Sequence, residues 1–219
     1  MNKEILAVIV SGGNIDTDFA LDFLQRTRWD VLIGADRGAG FLLNQGIMPT
    51  HVVGDFDSAG EEIRKTYRQN PSIEMREFQP EKDLTDTQIA VELALSLGST
   101  RIILLGATGS RLDHVLGNIQ VMMLPLERGA ECEILDTHNR IYLKNKGFSL
   151  EKEKQYGKFI SLIPFTPEVY PVTLTGFKYP LNGATLRAAG SLGISNEIQD
   201  AEAKVEFAQG ILIVAETRD

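Results

Sequence analysis

Asp55 and Asp57 lie two residues apart in the stretch Gly54-Asp55-Phe56-Asp57-Ser58, directly after the apolar run His51-Val52-Val53. The run reads as the end of a strand, and residues i and i+2 of an extended segment point to the same side. Both carboxylates can therefore address one spot while Phe56 packs the other way. Two carboxylates sharing a site repel, and one is driven toward protonation unless a cation intervenes. An all-oxygen pair suits a hard divalent ion such as Mg²⁺, which in turn holds phosphates. A solvated Asp-x-Asp turn is the plainer alternative, and the motif alone does not separate the two.

Other segments carry similar chemistry. Gly106-Ala107-Thr108-Gly109-Ser110-Arg111 is a glycine-bearing turn ahead of a helical pattern. Its amides favour an anion and Arg111 can fork onto phosphate oxygens. It matches neither a Walker loop nor the dinucleotide fingerprint. Lys82-Asp83-Leu84-Thr85-Asp86 opens another helix, and either Asp83 or Thr85 reads equally well as its cap. Asp113-His114 begins the helix after the glycine turn, where His114 reads more simply as a hydrogen-bonding residue than as a base.

These segments need a scaffold that gathers them, and the first 130 residues supply one. Aliphatic runs at Ile5–Val10, Val31–Ile33, Val52–Val53 and Arg101–Leu105 read as strands buried on both faces. A more alternating strand is expected over Ile73–Phe78. Helical patterns intervene near Asp16, at Phe41–Gln45, Glu61–Gln69 and up to Leu97, and a last long helix is expected to reach Arg128. Such alternation predicts a doubly wound, mostly parallel sheet with helices on both faces, whose ligands lie beyond the carboxyl ends of the strands. The Ser11–Asn14 turn, Asp36, Asp55 with Asp57, Lys82–Asp86 and Gly106–His114 all follow strands. Six aspartates (Asp36, Asp55, Asp57, Asp83, Asp86 and Asp113) are thereby brought to one edge, which is costly without cations. A metal-and-phosphate site accounts for this better than an acidic rim does.

From residue 131 to 219 the texture is short β-like runs: Cys132–Asp136, Arg140–Asn145, Phe148–Glu151, Phe159–Pro164, Val172–Phe177, Ala184–Arg187, Lys204–Ala208 and Ile211–Ala215. They are broken by turn chemistry such as Asn182-Gly183, and the reading is a small antiparallel β-sandwich. Its loop Gly190–Glu197 is longer than a hairpin needs and reads either as a binding loop or as a plain connection. The expected division is therefore 1–130 and 131–219.

The composition narrows the classes. With 219 residues, 43% hydrophobic and a formal net charge of −8, the chain is globular, and it lacks the basic stripe that a nucleic-acid partner demands. Cys132 is the single cysteine, so intrachain disulfides and cysteine-built zinc sites are excluded. The apolar N-terminal run is too short to span a membrane, and a cytoplasmic protein is expected.

In order and spacing, Gly34-Ala35-Asp36-Arg37-Gly38, Gly54–Ser58, Lys82–Asp86, Gly109-Ser110-Arg111-Leu112-Asp113-His114 and the Ser195-Asn196 loop together resemble the thiamin pyrophosphokinase family. The resemblance spans nearly the whole chain. It implies pyrophosphoryl transfer from ATP to thiamin with Mg²⁺, giving thiamin diphosphate and AMP. It also implies an N-terminal ATP-binding catalytic domain, a C-terminal thiamin-binding β-sandwich, and a homodimer with active sites between subunits. By position it makes Asp55, Asp57 and Asp86 metal ligands. Asp36, Asp83, Arg111 and Asp113 become catalytic, and Lys82, Asp83, Gly109, Ser110 and Arg111 bind ATP. Ser191, Ser195 and Asn196 meet thiamin. Some members stack a C-terminal aromatic such as Trp on thiamin, but the single tryptophan here, Trp29, is in the N-terminal half. A Mg²⁺-dependent phosphohydrolase and a non-catalytic nucleotide or thiamin sensor remain open alternatives.

Overall fold

The computed structural model describes residues 4–55, 61–77 and 83–219, and it divides into two units, 1–137 and 138–219. Among the sequence-derived candidates, Asp57 and Lys82 lie outside the described residues.

In the first unit the elements follow in order as β1 (Leu6–Val10), α1 (Thr17–Arg26), β2 (Val31–Ala35), α2 (Arg37–Asn44), β3 (His51–Gly54), α3 (Glu61–Arg68) and β4 (Glu74–Glu77). Then come α4 (Asp86–Ser96), β5 (Arg101–Leu105), α5 (Leu112–Val121), α6 (Met123–Glu127) and β6 (Glu131–Leu135). All strand pairs are parallel and the order is β6-β5-β1-β2-β3-β4. The strands are aliphatic because both faces are covered: Ala7, Val8, Ile9, Leu32, Ile33, Ile102 and Leu104 are fully or almost fully buried. The chain winds outward from β1 to β4 on one side and from β5 to β6 on the other. The order therefore reverses between β1 and β5, and that is where an open sheet of this kind opens a crevice.

Helix boundaries follow local chemistry. Asp16 caps α1 by accepting from the Phe19 amide at 2.9 Å. Of the two residues that could cap α4, Thr85 does so, accepting from Gln88 N at 3.2 Å. Three differences from the sequence reading have physical causes. Helix α2 starts at Arg37, not Phe41; its glycines disguise it, yet Gly38 is required, since a Cβ there would lie 1.9 Å from the Val10 carbonyl. The last long helix is broken at Met122 into α5 and α6, because Pro125 has no amide to continue the ladder. Residues 131–135, read with the β-rich half, pair in parallel with β5 and belong to the first unit.

The second unit contains β7 (Asn139–Lys144), β8 (Phe148–Glu151), β9 (Phe159–Pro164), β10 (Glu168–Thr175), β11 (Leu181–Arg187), β12 (Asn196–Glu197), β13 (Glu202–Glu206) and β14 (Leu212–Thr217). They form two antiparallel layers, β12-β9-β14-β7 and β11-β10-β13-β8. Ile160, Leu162 and Val214 of one layer meet Val172, Leu174, Leu186 and Val205 of the other in a shared core. This is the sandwich that the alternating runs call for. One buried acid is fully engaged within it. Glu216, 1% exposed, accepts from the Tyr142 hydroxyl at 3.0 Å and from the Tyr156 amide at 2.7 Å, with Arg140 at 3.5 Å.

Candidate active site

The crevice opens where the order of strands reverses. The turn after β1 is fastened to the turn after β5 by backbone alone: Ser11 N donates to Leu105 O, Gly13 N to Gly106 O and Asn14 N to Thr108 O, each at 2.8 Å. That closeness explains Gly13, whose hypothetical Cβ would sit 2.2 Å from Thr108 O. The start of α4 is tied in by the buried Thr87 hydroxyl, which donates to Ser11 Oγ at 3.1 Å. The result is a cleft of about 360 Å³, lined by the Ser11–Asn14 turn, Asp36 and Arg37, Thr85–Thr87, Gly106–Arg111 and the facing side of α5 at His114, Val115 and Asn118. Its size is within the roughly 300–1,000 Å³ of small-molecule sites.

Of the residues expected from the sequence, Asp36, Asp86, Gly109, Ser110 and Arg111 line this cleft. Asp36 is a non-glycine residue at φ 48°; its amide donates to Val53 O at 2.9 Å, bringing the end of β3 alongside. A left-handed conformation of this kind costs about 1–3 kcal/mol and collects at functional sites. Asp55 follows β3 and is half-buried, whereas Asp83 is exposed ahead of α4; neither lines the cleft. Asp113 does not line it either: it turns to Arg111, which donates to it at 2.7 and 3.3 Å, and both side chains are largely exposed. The hydrogen bond from Arg111 holds the Asp113 carboxyl below the usual carboxylate range and pushes the Arg111 guanidinium up. Among the described residues no three His, Cys, Asp or Glu side chains are grouped as a metal centre.

Two side chains that shape the cleft are not among the residues expected from the sequence. Asn118, 7% exposed on α5, donates through Nδ2 to the Ala107 carbonyl at 2.7 Å. Thr108 donates to Asp136, beyond β6, at 2.7 Å. Together they hold the Gly106–Arg111 turn from two sides. The only signal for Asn118 is an amide beside Val115, Leu116 and Ile119, and Gln120 on the same helix gives an equal one; Asp136 has none, since the partner of its strand is set by tertiary packing. Cys132 has no part in the chemistry, because it is buried and burial pushes its thiol up.

In the second unit Ser191 and Ser195 are exposed and Asn196 is buried. Ser195 has φ 56°, and its amide donates to Ser161 Oγ at 3.0 Å. The Asn196 side chain grips the backbone of Tyr179 from both directions: Oδ1 accepts from Tyr179 N at 3.0 Å and Nδ2 donates to Tyr179 O at 2.8 Å. It presents Tyr179, 57% exposed, next to the Ser191–Asn196 loop through these bonds. No sequence signal set this tyrosine apart from the other four.

Comparison with known proteins adds a family context. Residues 24–134 match the family model described as thiamin pyrophosphokinase, catalytic domain, and residues 148–212 match the one described as thiamin pyrophosphokinase, vitamin B1 binding domain. The chain is 37% identical over 215 residues to the thiamine pyrophosphokinase of Bacillus subtilis (strain 168), covering 96% of this chain and 98% of the relative. The crystal structure of thiamine pyrophosphokinase from Bacillus subtilis is similar with a TM-score of 0.86 at 33% identity, covering 98% of this chain and 99% of that one. The crystal structure of the Geobacillus thermodenitrificans thiamin pyrophosphokinase follows with 0.82 at 31% identity, covering 98% of each chain.

Proposed function

Because the chain belongs to the thiamin pyrophosphokinase family, we infer that it transfers the pyrophosphoryl group of ATP to the hydroxyl of thiamin, giving thiamin diphosphate and AMP. The observation that carries this is the joint match of the catalytic and vitamin B1 binding models, one to each of the two compact units of this chain. The thiamin hydroxyl attacks the β-phosphorus in line and AMP departs. Such transfers depend on positioning and on neutralising charge.

The roles of individual residues are part of this reading. ATP lies in the cleft at the β1/β5 crevice, with its phosphates on the Gly109–Arg111 turn, and Lys82 is assigned to ATP binding as well. Asp36, Asp83, Arg111 and Asp113 serve the transfer. Mg²⁺ fits the donor chemistry, since Asp55, Asp57 and Asp86 offer only hard carboxylate oxygens. When bound it supplies charge neutralisation on the phosphates. The chain's own part is to hold the triphosphate against the backbone-fastened turns and to keep water from the reacting phosphorus. Ser191, Ser195 and Asn196 receive thiamin, and Tyr179 supplies the stacking face, as its exposure and the grip of Asn196 on its backbone support.

A homodimer with active sites at the subunit interface completes the reading. Leu112 and Leu116, one turn apart on α5 and 72% and 63% exposed, are an apolar surface that supports it. The acidic chain and its lone buried thiol suit the cytoplasm, and no helix among the described residues is long and apolar enough to cross a membrane. The test is product analysis with ATP, Mg²⁺ and thiamin. AMP and thiamin diphosphate should form in equal amounts and vanish when thiamin or Mg²⁺ is withheld. ADP with thiamin monophosphate, or phosphate released without thiamin, would contradict the reading.

A further inference from the structure

We propose that Arg37 is a phosphate-binding residue of the ATP site and supplies the main guanidinium contact to the triphosphate. This rests on the reading of the cleft as the nucleotide site. Two arginines line the cleft, Arg37 and Arg111. Arg111 is engaged by Asp113 in a two-point pair, which a ligand would have to share or displace. Arg37 makes no salt bridge or side-chain hydrogen bond with any of the described residues. It is exposed, and its Cβ lies 3.3 Å from where a Cβ on Gly12 would be, which sets it against the β1 turn at the floor of the crevice.

Its surroundings make a purely structural role a poor explanation. Arg37 is the first residue of α2, whose first turn contains no acid. A cation there opposes the helix dipole, which favours anions at that end. The strained Asp36 immediately before it turns the chain so that both residues reach the cleft. A surface arginine needs none of this. An anion bound over the β1 turn would answer both a guanidinium that has no ion-pair partner among the described residues and the positive helix end, and the planar fork of arginine matches two phosphate oxygens.

The experiment measures ATP affinity by titration calorimetry for the full chain and for Arg37→Ala, Arg37→Lys and Ser110→Trp, together with melting temperatures and the KM for thiamin. Arg37→Ala should weaken ATP binding by about ten- to a hundredfold, the range that loss of a charge-assisted hydrogen bond carries. Arg37→Lys should recover part of this, because charge returns without the fork. Melting temperature and thiamin KM should stay near the unaltered chain's, a split that a fold defect would not give. Ser110→Trp fills the cleft with an exposed side chain and tests the site itself. If it blocks ATP while Arg37→Ala binds within twofold of normal, the role of Arg37 is overturned and the cleft stands. If Ser110→Trp binds ATP normally, the cleft reading falls and the proposal with it.

Discussion

At the end where its strands begin, side chains fasten the parallel sheet of the first unit alongside the backbone; at the end where they finish, the turns after β1 and β5 are fastened to each other by backbone, with Thr87, Thr108 and Asn118 steadying them from the sides. At the starting end, Asp30 Oδ2 accepts from Leu6 N and Thr100 Oγ1 from Ile5 N, both at 3.1 Å. Thr50 Oγ1 accepts from Leu32 N at 3.0 Å and donates to Leu32 O at 2.9 Å, and Arg101 meets Glu133 at 2.8 Å. At the finishing end the turns after β1 and β5 are joined through amides and carbonyls. A side chain used as a brace has fewer donors and acceptors left for a ligand. Bracing with backbone leaves Asp36, Asp86, Ser110 and Arg37 on the cleft wall. The cost is steric: glycine is required at Gly13 and strain is accepted at Asp36.

The sharpest way to break this contrast is to remove a cleft carboxylate. Asp86→Ala should lower turnover about a thousandfold or more, equivalent to about 4 kcal/mol at the transition state. It should leave the fold almost unchanged, costing only about 0.3–1 kcal/mol through the α4 dipole. Steady-state kinetics beside a urea titration would decide it. A protein that unfolds, or one that keeps turning over, removes the claim that this end serves chemistry.

The backbone brace predicts a mixed effect. Gly13→Ala places a methyl 2.2 Å from Thr108 O and 2.5 Å from Gly106 O. Relieving the clash must separate the two turns, so stability should fall by about 1–3 kcal/mol, as overpacking does. ATP affinity should fall with it, since both turns wall the cleft. Calorimetry and ATP titration on one preparation would show whether the losses travel together. Normal ATP affinity in a destabilised variant would separate the brace from the site.

The side-chain brace predicts stability without chemistry. Thr50→Val keeps the shape but removes both hydrogen bonds to Leu32, and should cost about 1–2 kcal/mol. Turnover and both KM values should not move. A change in KM would mean that the two ends of the sheet are coupled.

The same contrast explains what the sequence disclosed. Turns that follow aliphatic strands were legible because strand type and turn chemistry are local, and in an alternating chain they place Asp36, Asp86 and Gly109–Arg111 on one edge. The pairing of β6 with β5 was not legible: Glu-Cys-Glu-Ile-Leu reads as an alternating strand, and its partner is fixed only by tertiary packing. Asn118 and Asp136 were hidden for the same reason, since their value depends on carbonyl and hydroxyl groups 11 and 28 residues away. Helix α2 was hidden by the glycines that let it approach β1. Arg37 stood in plain view in the Asp36-Arg37-Gly38 run, but only the pairing of Arg111 with Asp113 gives it significance.

The smallest effect concerns pH, and it too should be confined to one end. His51 opens β3 at the starting end and is partly buried, with Thr50, Glu74 and Arg76 around it. Its Nδ1 lies 2.8 Å from Thr50 Oγ1, and its Nε2 lies 3.5 Å from Glu74. The Thr50 hydroxyl spends its proton on Leu32 O, so Nδ1 of His51 must carry the hydrogen and a second proton would arrive at Nε2. Burial pulls its pKa below the ordinary 6.5, and Arg76 adds to this, while Glu74 opposes without prevailing. The unfolded chain therefore takes up a proton near pH 6.5 that the folded chain refuses until lower pH. Stability should be level above that point and should fall as pH drops through 6.5 toward the folded value. Relative to His51→Gln, the urea midpoint of the unaltered chain should decline between pH 7.5 and 5.5, and the KM for ATP of the two proteins should stay parallel. A relative gain in stability at acid pH would show that the Glu74 contact outweighs burial, and a divergence in KM would show that the two ends are not independent.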